Sequence, residues 1–385
     1  MNVIYFSPHF PTHYIEFVLQ LKLKGATVLG IADAEYNSLP EKLKYSLTEY
    51  YKVNNMENYD EVFKAVAYFS YKYGKIDHLD SLNEYWLMTE ARLRTDFNIE
   101  GLNNDSIDAM KFKSLMKQKF INAGVNVARG KVIDNYVTAK EFVEQVNYPV
   151  IAKPDNGVGA LNTYKINSDA ELLNFFNLNY SIPYIFEEFI NGQIISFDGL
   201  TDKNGNVVFH SSATFQTGVM ETVNNDTHYS YYIERQISED LEKAGRSILK
   251  EFNLKGRFFH IEFFRTPENK LVVLEVNMRP PGGFTTEMFN YANDINIYEQ
   301  WANIVVSNTF ETKVERKYYV AFIGRKFKYN YAHSLDEIIS YCGKNLVQHD
   351  QIAGVFSSAL GNYGFIVRNE SLEFINQARD FIHKI

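Results

Sequence analysis

Phe258-Phe259-His260-Ile261-Glu262-Phe263-Phe264 is followed by the turn-like Thr266-Pro267-Glu268-Asn269-Lys270 and then by Leu271-Val272-Val273-Leu274-Glu275-Val276-Asn277-Met278-Arg279. Both flanks are rich in β-branched and aromatic residues, which predicts a hairpin. With the turn centred between Glu268 and Asn269, Glu262 and Glu275 are equidistant from it and face each other. Such a cross-strand pair has Cβ atoms about 4.5–5.5 Å apart. Alternation places Glu275, Asn277 and Arg279 on one face and Val272, Leu274, Val276 and Met278 on the other. Opposed carboxylates destabilise a sheet, and a divalent cation between them removes that penalty. Magnesium, or manganese in its place, takes hard oxygen ligands: one or two carboxylates plus substrate phosphates. Asn277 offers a third oxygen, and Arg279 a fixed positive charge for a phosphoryl or oxyanion group. A solvent-facing polar stripe is the competing reading of the same residues, and a one-residue bulge would undo the facing geometry.

Upstream, Tyr148 to Lys153 reads as a buried strand ending in a lysine, and it runs into Asp155-Asn156-Gly157-Val158-Gly159-Ala160. Backbone N–H groups of such a loop can cradle phosphate oxygens where glycine permits close approach. Lys153 adds a point charge beside them. A plain turn is the alternative.

The opening predicts a strand at 3–6, a turn at 7–11, a helix at 14–23, Gly25 at its end and a second strand at 27–32. That order fits a parallel, Rossmann-like sheet. The turn, Ser7-Pro8-His9-Phe10-Pro11, carries no glycine fingerprint and is read as a substrate-facing edge. Residues 58–73 and 83–94 read as helices, and Asn104-Asp105-Ser106 as the cap of a single helix running to Ala123. Strands at 193–201 and 207–214 flank Asp202-Lys203-Asn204-Gly205-Asn206, a hairpin turn. A helix over 239–252 precedes the carboxylate hairpin.

Read in order, residues 105–300 resemble the ATP-grasp superfamily, and within it the carboxylate–amine ligases of the amino-acid and dipeptide ligase type. The resemblance implies an α+β fold. Its parts are a Rossmann-like domain (1–104), an ATP-grasp A subdomain with a lid loop (105–186), a B subdomain with the metal site (187–310) and a small C-terminal α/β subdomain (311–385). It gives Lys113 the α-phosphate contact, with Lys111 and Lys117 as competitors, and makes Lys153 the second phosphate lysine. Gly157, Gly159 and Ala160 fall in the lid. Tyr184 to Gly192 resembles the adenine hinge: Glu187 would accept from the adenine amino group, while Glu188, Phe189 and Ile190 line the ring. Glu262, Glu275 and Asn277 would hold the metal, and Arg279, with Asn277, would serve catalysis at the acylphosphate. Two departures stand out: Ala160 replaces a frequent serine, and Gln193 and Ile194 occupy the place of a ribose-binding glutamate.

The implied reaction is ATP-dependent activation of a carboxylate as an acylphosphate, followed by capture by an amine. Bicarbonate activation or a thiol acceptor is the first alternative, although no biotin-attachment sequence is present. ATP binding without turnover is the second. The substrate side is weakly marked: Gly218 to Glu234, Asn83, Glu84, Trp86 and Arg325 are candidates, and His260 is either a support for the metal strand or a core histidine. The partners expected are a small carboxylate and a small amine, and a homodimer is common among such ligases. With 39 basic against 47 acidic residues and no basic block, nothing supplies a nucleic-acid footprint. No run of about 18 apolar residues suggests a membrane span. One cysteine, Cys342, excludes an intrachain disulfide and fits a cytoplasmic setting.

Overall fold

The computed structural model describes residues 1–157, 162–178, 180–216, 218 and 226–385. Its first sheet is parallel, with strands Glu49–Lys52, Thr27–Ala32, Asn2–Phe6 and His78–Asp80 side by side in that order. Helices Ile15–Leu23 and Tyr59–Tyr73 accompany it, as the alternation of apolar strand and amphipathic helix requires. An antiparallel sheet of four strands follows, in the order Gly130–Ile133, Tyr184–Glu188, Val150–Pro154 and Tyr164–Ile166. A third, nine-stranded sheet contains the carboxylate hairpin, Phe258–Arg265 and Leu271–Asn277, beside Gln193–Thr201. It continues through Ala213–Phe215 and Tyr229–Ile233 into the C-terminal strands Tyr319–Arg325, Tyr363–Asn369 and Leu346–Gln351.

The helix expected to run unbroken to Ala123 is two helices, Asn104–Lys111 and Lys113–Asn122. Phe112 is extended between them and bridges to Asn156. Its cap is Asn103, whose side chain accepts from the Asp105 amide. The break is fixed from outside the helix: Lys113 N donates to Asp155 O at 2.9 Å, and Asp155 takes both the Ser114 amide and hydroxyl at 2.8 Å. A tertiary strand contact here overrides helix propensity. Over 83–94, a short 3₁₀ turn, Glu84–Trp86, leads into the helix Leu87–Asp96.

The hairpin brings Glu262 opposite Glu275 by a different route from the one expected. Its turn is centred on Glu268, with Thr266 N bonded to Lys270 O at 2.9 Å and Asn269 left-handed at φ 60°. A bulge at Leu274 then restores the register, so that Phe263 pairs with Val273 but Glu262 with Glu275. The two one-residue offsets cancel. The bulge also changes which residues are buried: Leu271 and Val273, with Val276 and Met278, pack into the core, whereas Val272 and Leu274 are only half-buried. Asn269 tolerates its left-handed φ where a β-branched residue does not. Asn269→Val should therefore lower stability by about 1–2 kcal/mol, while Asn269→Gly stays within about 0.5 kcal/mol, both read from urea unfolding.

Candidate functional site

The site is built on one face of three adjacent strands. In register, Ser196 and Asp198 lie beside Glu262 and His260, which lie beside Glu275 and Asn277. The opposite face of the same strands carries Ile195, Phe197, Phe259, Ile261, Phe263, Val276 and Met278, which join Met116 and Phe120 of the helix Lys113–Asn122 in one apolar cluster. That packing fixes the sheet under the polar grid and brings Lys113, at the start of the helix, close to Glu275.

The facing carboxylates are each compensated by protein cations. Glu262 Oε1 lies 2.9 Å from His260 Nε2, and His260 Nδ1 lies 2.6 Å from Asp198 Oδ1. Burial by itself would lower the His260 pKa, but Asp198 and Glu262 raise it to about 10, so the ring is an imidazolium. Glu275 accepts from Asn277 Nδ2 at 3.2 Å. Burial pushes its pKa up, and the nearby Lys113 and Lys153 ammonium groups more than offset that and hold it below the usual range. The divalent ion invoked from sequence is thus not the sole answer to the repulsion. Glu262, Glu275 and the Asn277 amide oxygen, which has no hydrogen-bond partner among the described residues, nevertheless offer hard oxygens of the type magnesium takes. Among the described residues, no group of three or more His, Cys, Asp or Glu is arranged to hold a metal ion.

Of the three competing lysines, Lys111 is bound to Glu84 at 2.8 Å and Lys117 to Glu187 at 2.6 Å. Lys113 donates to Gly157 O at 3.2 Å and, among the described residues, has no carboxylate within ion-pair distance. Burial lowers its pKa most, with the Lys153 charge adding to the effect. Lys153 is on the site-facing side of its strand, opposite Ile185, and pairs with Glu187 Oε2 at 2.7 Å. Glu187 is therefore held through one oxygen by Lys117 and through the other by Lys153. Burial raises the Glu187 pKa, but these lysines bring it below the ordinary value. Glu188 turns to Arg129, with its oxygens 2.7 Å from the backbone N and 2.8 Å from Nε. Lys165 lies over the Phe189 ring at 4.0 Å, and Ile190 is half-buried. Gly159 and Ala160 lie outside the described residues, as does most of 217–225 in the segment singled out as an acyl-pocket border.

Arg279 is braced from the N-terminal unit. Its Nε is 3.8 Å from Glu84 Oε2, and its Nη1 donates to Pro280 O at 2.8 Å. The preceding carbonyl, Met278 O, accepts from Arg257 Nε at 3.2 Å, while the Arg257 fork grips Asp80 at 2.9 and 3.1 Å. Of the weaker substrate candidates, Glu84 alone among the described residues adjoins the site in this way. Asn83 caps Tyr85 N, and Trp86 packs edge-on against Phe6. Arg325 is not a free carboxylate clamp, because its guanidinium donates to Ile382 O at 2.7 Å and His333 O at 2.9 Å. Asp198 and Ser196 were missed from sequence; the signal was there in Ile195-Ser196-Phe197-Asp198, an alternation with polar residues on the site face.

Glu187→Gln leaves the buried Lys117 and Lys153 ammonium groups facing each other without a counter-ion. Removing one partner from a buried ionic group costs about 3–5 kcal/mol, and urea unfolding at neutral pH should show a loss of that size.

The ATP-grasp domain family matches residues 146–287. The chain is 26% identical over 263 residues to an L-arginine-specific L-amino acid ligase of Bacillus subtilis, the match covering 64% of this chain and 61% of that protein. The chain thus spans about three-fifths of that relative. Among solved structures, an L-amino acid ligase from Bacillus licheniformis superposes with a TM-score of 0.75 at 16% identity, over 99% of this chain and 96% of the other. An N5-carboxyaminoimidazole synthetase from Staphylococcus aureus, complexed with ADP, superposes with a TM-score of 0.74 at 16% identity, over 98% and 95%. With the facing carboxylates, the two site lysines and the three-sheet architecture already in place, this chain has the ATP-grasp fold and carries an ATP-grasp domain across residues 146–287.

Proposed function

We propose that the protein is an ATP-dependent carboxylate–amine ligase, releasing ADP and phosphate. The observation that carries this reading is Glu262 directly opposite Glu275, with Asn277 on the same face and Lys113 and Lys153 close to Glu275. Similarity to an L-amino acid ligase supports an amino acid as at least one substrate.

In the first step, a substrate carboxylate oxygen attacks the γ-phosphorus of ATP, the bond to the β-phosphate oxygen breaks and ADP leaves. Lys113, at a helix N-terminus, and Lys153 orient the α- and β-phosphates, with Gly157 beside Lys113. The hinge backbone at Glu188 to Ile190 borders the adenine. Glu187 accepts from the adenine amino group with lone pairs that its two lysines leave free. Glu262, Glu275 and Asn277 would hold magnesium or manganese, and the ion would supply positive charge to the transferring phosphoryl group. In the second step, the amine attacks the acyl carbon, the carbon–oxygen bond to phosphate breaks, and the amine proton passes to the departing phosphate. Arg279 stabilises the oxyanion, a role often worth about 10²–10³ in rate.

The four units, 1–104, 105–186, 187–310 and 311–385, then divide the work. The first meets the substrate, the second clamps nucleotide, and the third carries metal and acylphosphate. The last extends the sheet that supports them. A cytoplasmic setting fits the single cysteine, Cys342, a buried thiol whose pKa burial pushes up to about 11. No helix among the described residues is long and apolar enough to cross a membrane.

ADP release with magnesium-ATP over pooled amino acids and small carboxylates tests the reading. Release should require both a carboxylate and an amine; release with bicarbonate alone would point to carboxylase-like chemistry instead. Glu275→Gln should abolish ADP formation while the circular dichroism spectrum stays unchanged, and near-normal turnover in that variant would refute the metal role.

A further inference from the structure

Behind Glu262 runs a chain of side chains that phosphoryl transfer does not itself call for. The Ala213 amide donates to Ser196 Oγ at 3.2 Å, and Ser196 Oγ donates to Asp198 Oδ2 at 2.6 Å. Asp198 Oδ1 meets His260 Nδ1 at 2.6 Å, and His260 Nε2 meets Glu262 Oε1 at 2.9 Å. Ser196 and Asp198 are fully buried and His260 nearly so, whereas the Glu262 side chain retains 22% exposure. The chain therefore crosses three neighbouring strands from the interior to the open face of the grid. Apolar residues at 196, 198 and 260 would pack such a sheet at lower cost than a buried ionic string. The string also ends on one oxygen of the carboxylate that faces Glu275; among the described residues the other oxygen has no hydrogen-bond partner.

We propose that Ser196, Asp198 and His260 are positioning residues that hold Glu262 Oε1 and present its second oxygen to the divalent cation, so that they set the metal affinity of the site. This rests on the reading of Glu262 as a metal ligand. An unrestrained glutamate loses rotamer freedom when it binds a metal; a side chain already fixed does not. Partners behind metal-ligating groups typically change metal affinity 10–100-fold when removed.

The test is Mn²⁺ binding, followed by the electron paramagnetic resonance signal of free Mn²⁺ in the presence of ADP. ADP affinity in EDTA and thermal unfolding are measured in parallel. His260→Leu alone would strand the buried Asp198 charge, so the working variant is Asp198→Asn with His260→Gln, which removes both charges and keeps polar groups along the chain. Mn²⁺ binding should weaken 10–100-fold, with metal-free ADP affinity unchanged. Mn²⁺ affinity within twofold of wild type, or a parallel fall in metal-free ADP affinity, would overturn the proposal. Glu262→Gln separates the two levels. If it weakens Mn²⁺ binding and the double variant does not, the relay is wrong; if Glu262→Gln also leaves Mn²⁺ binding unchanged, the metal reading fails with it.

Discussion

Two carboxylates held face to face in a sheet are an electrostatic liability, and the rest of this site is organised around compensating them. Glu262 leans on His260 and Asp198, while Glu275 lies under the ammonium groups of Lys113 and Lys153. Lys153 in turn shares Glu187 with Lys117. The result is an alternation of buried charges in which each group depends on the next. Such an arrangement contributes little net stability compared with an apolar core of the same volume. What it provides is fixed charge at stated positions, which is what stabilisation of a phosphoryl-transfer transition state requires.

The surrounding fold supplies those positions. The break at Phe112 starts a helix at Lys113 and ties it to Asp155, so the lysine is anchored to the end of the strand Val150–Pro154. The bulge at Leu274 turns the hairpin so that Glu275 and Asn277 share the open face while Val276 and Met278 anchor the other side. The N-terminal sheet takes part as well. Asp80, at the end of its strand, grips Arg257 and through it the Met278 carbonyl, and Glu84 faces Arg279. The segment that would stabilise an acylphosphate is thus braced by a unit that precedes the nucleotide-binding domain in sequence.

The order of elements was legible because it rests on local signals: apolar alternation, glycine and asparagine turns, and the lysine-ended strand at 150–154. The facing glutamates were legible for a partly wrong reason. A turn centred on Glu268 and a bulge at Leu274 shift the register in opposite senses, and neither shift is marked strongly enough in the sequence to be placed. The same bulge exchanged Val272 and Leu274 for Leu271 and Val273 in the core. The helix break at Phe112 was invisible because its cause lies over forty residues away, at Asp155 and Asn156. Arg325 looked like a clamp until its partners, the carbonyls of Ile382 and His333, were in view. Asp198 was readable in principle, as a polar residue alternating with Phe197, but only the register with His260 gives it a role.

The most direct measurement is the fate of oxygen from the acyl donor. With the substrate carboxylate labelled with ¹⁸O, an acylphosphate route must leave one label in the phosphate released, and ³¹P NMR resolves that phosphate from the unlabelled form. The account predicts singly labelled phosphate in proportion to amide formed. Unlabelled phosphate accompanying amide formation, or release of AMP in place of ADP, would contradict it.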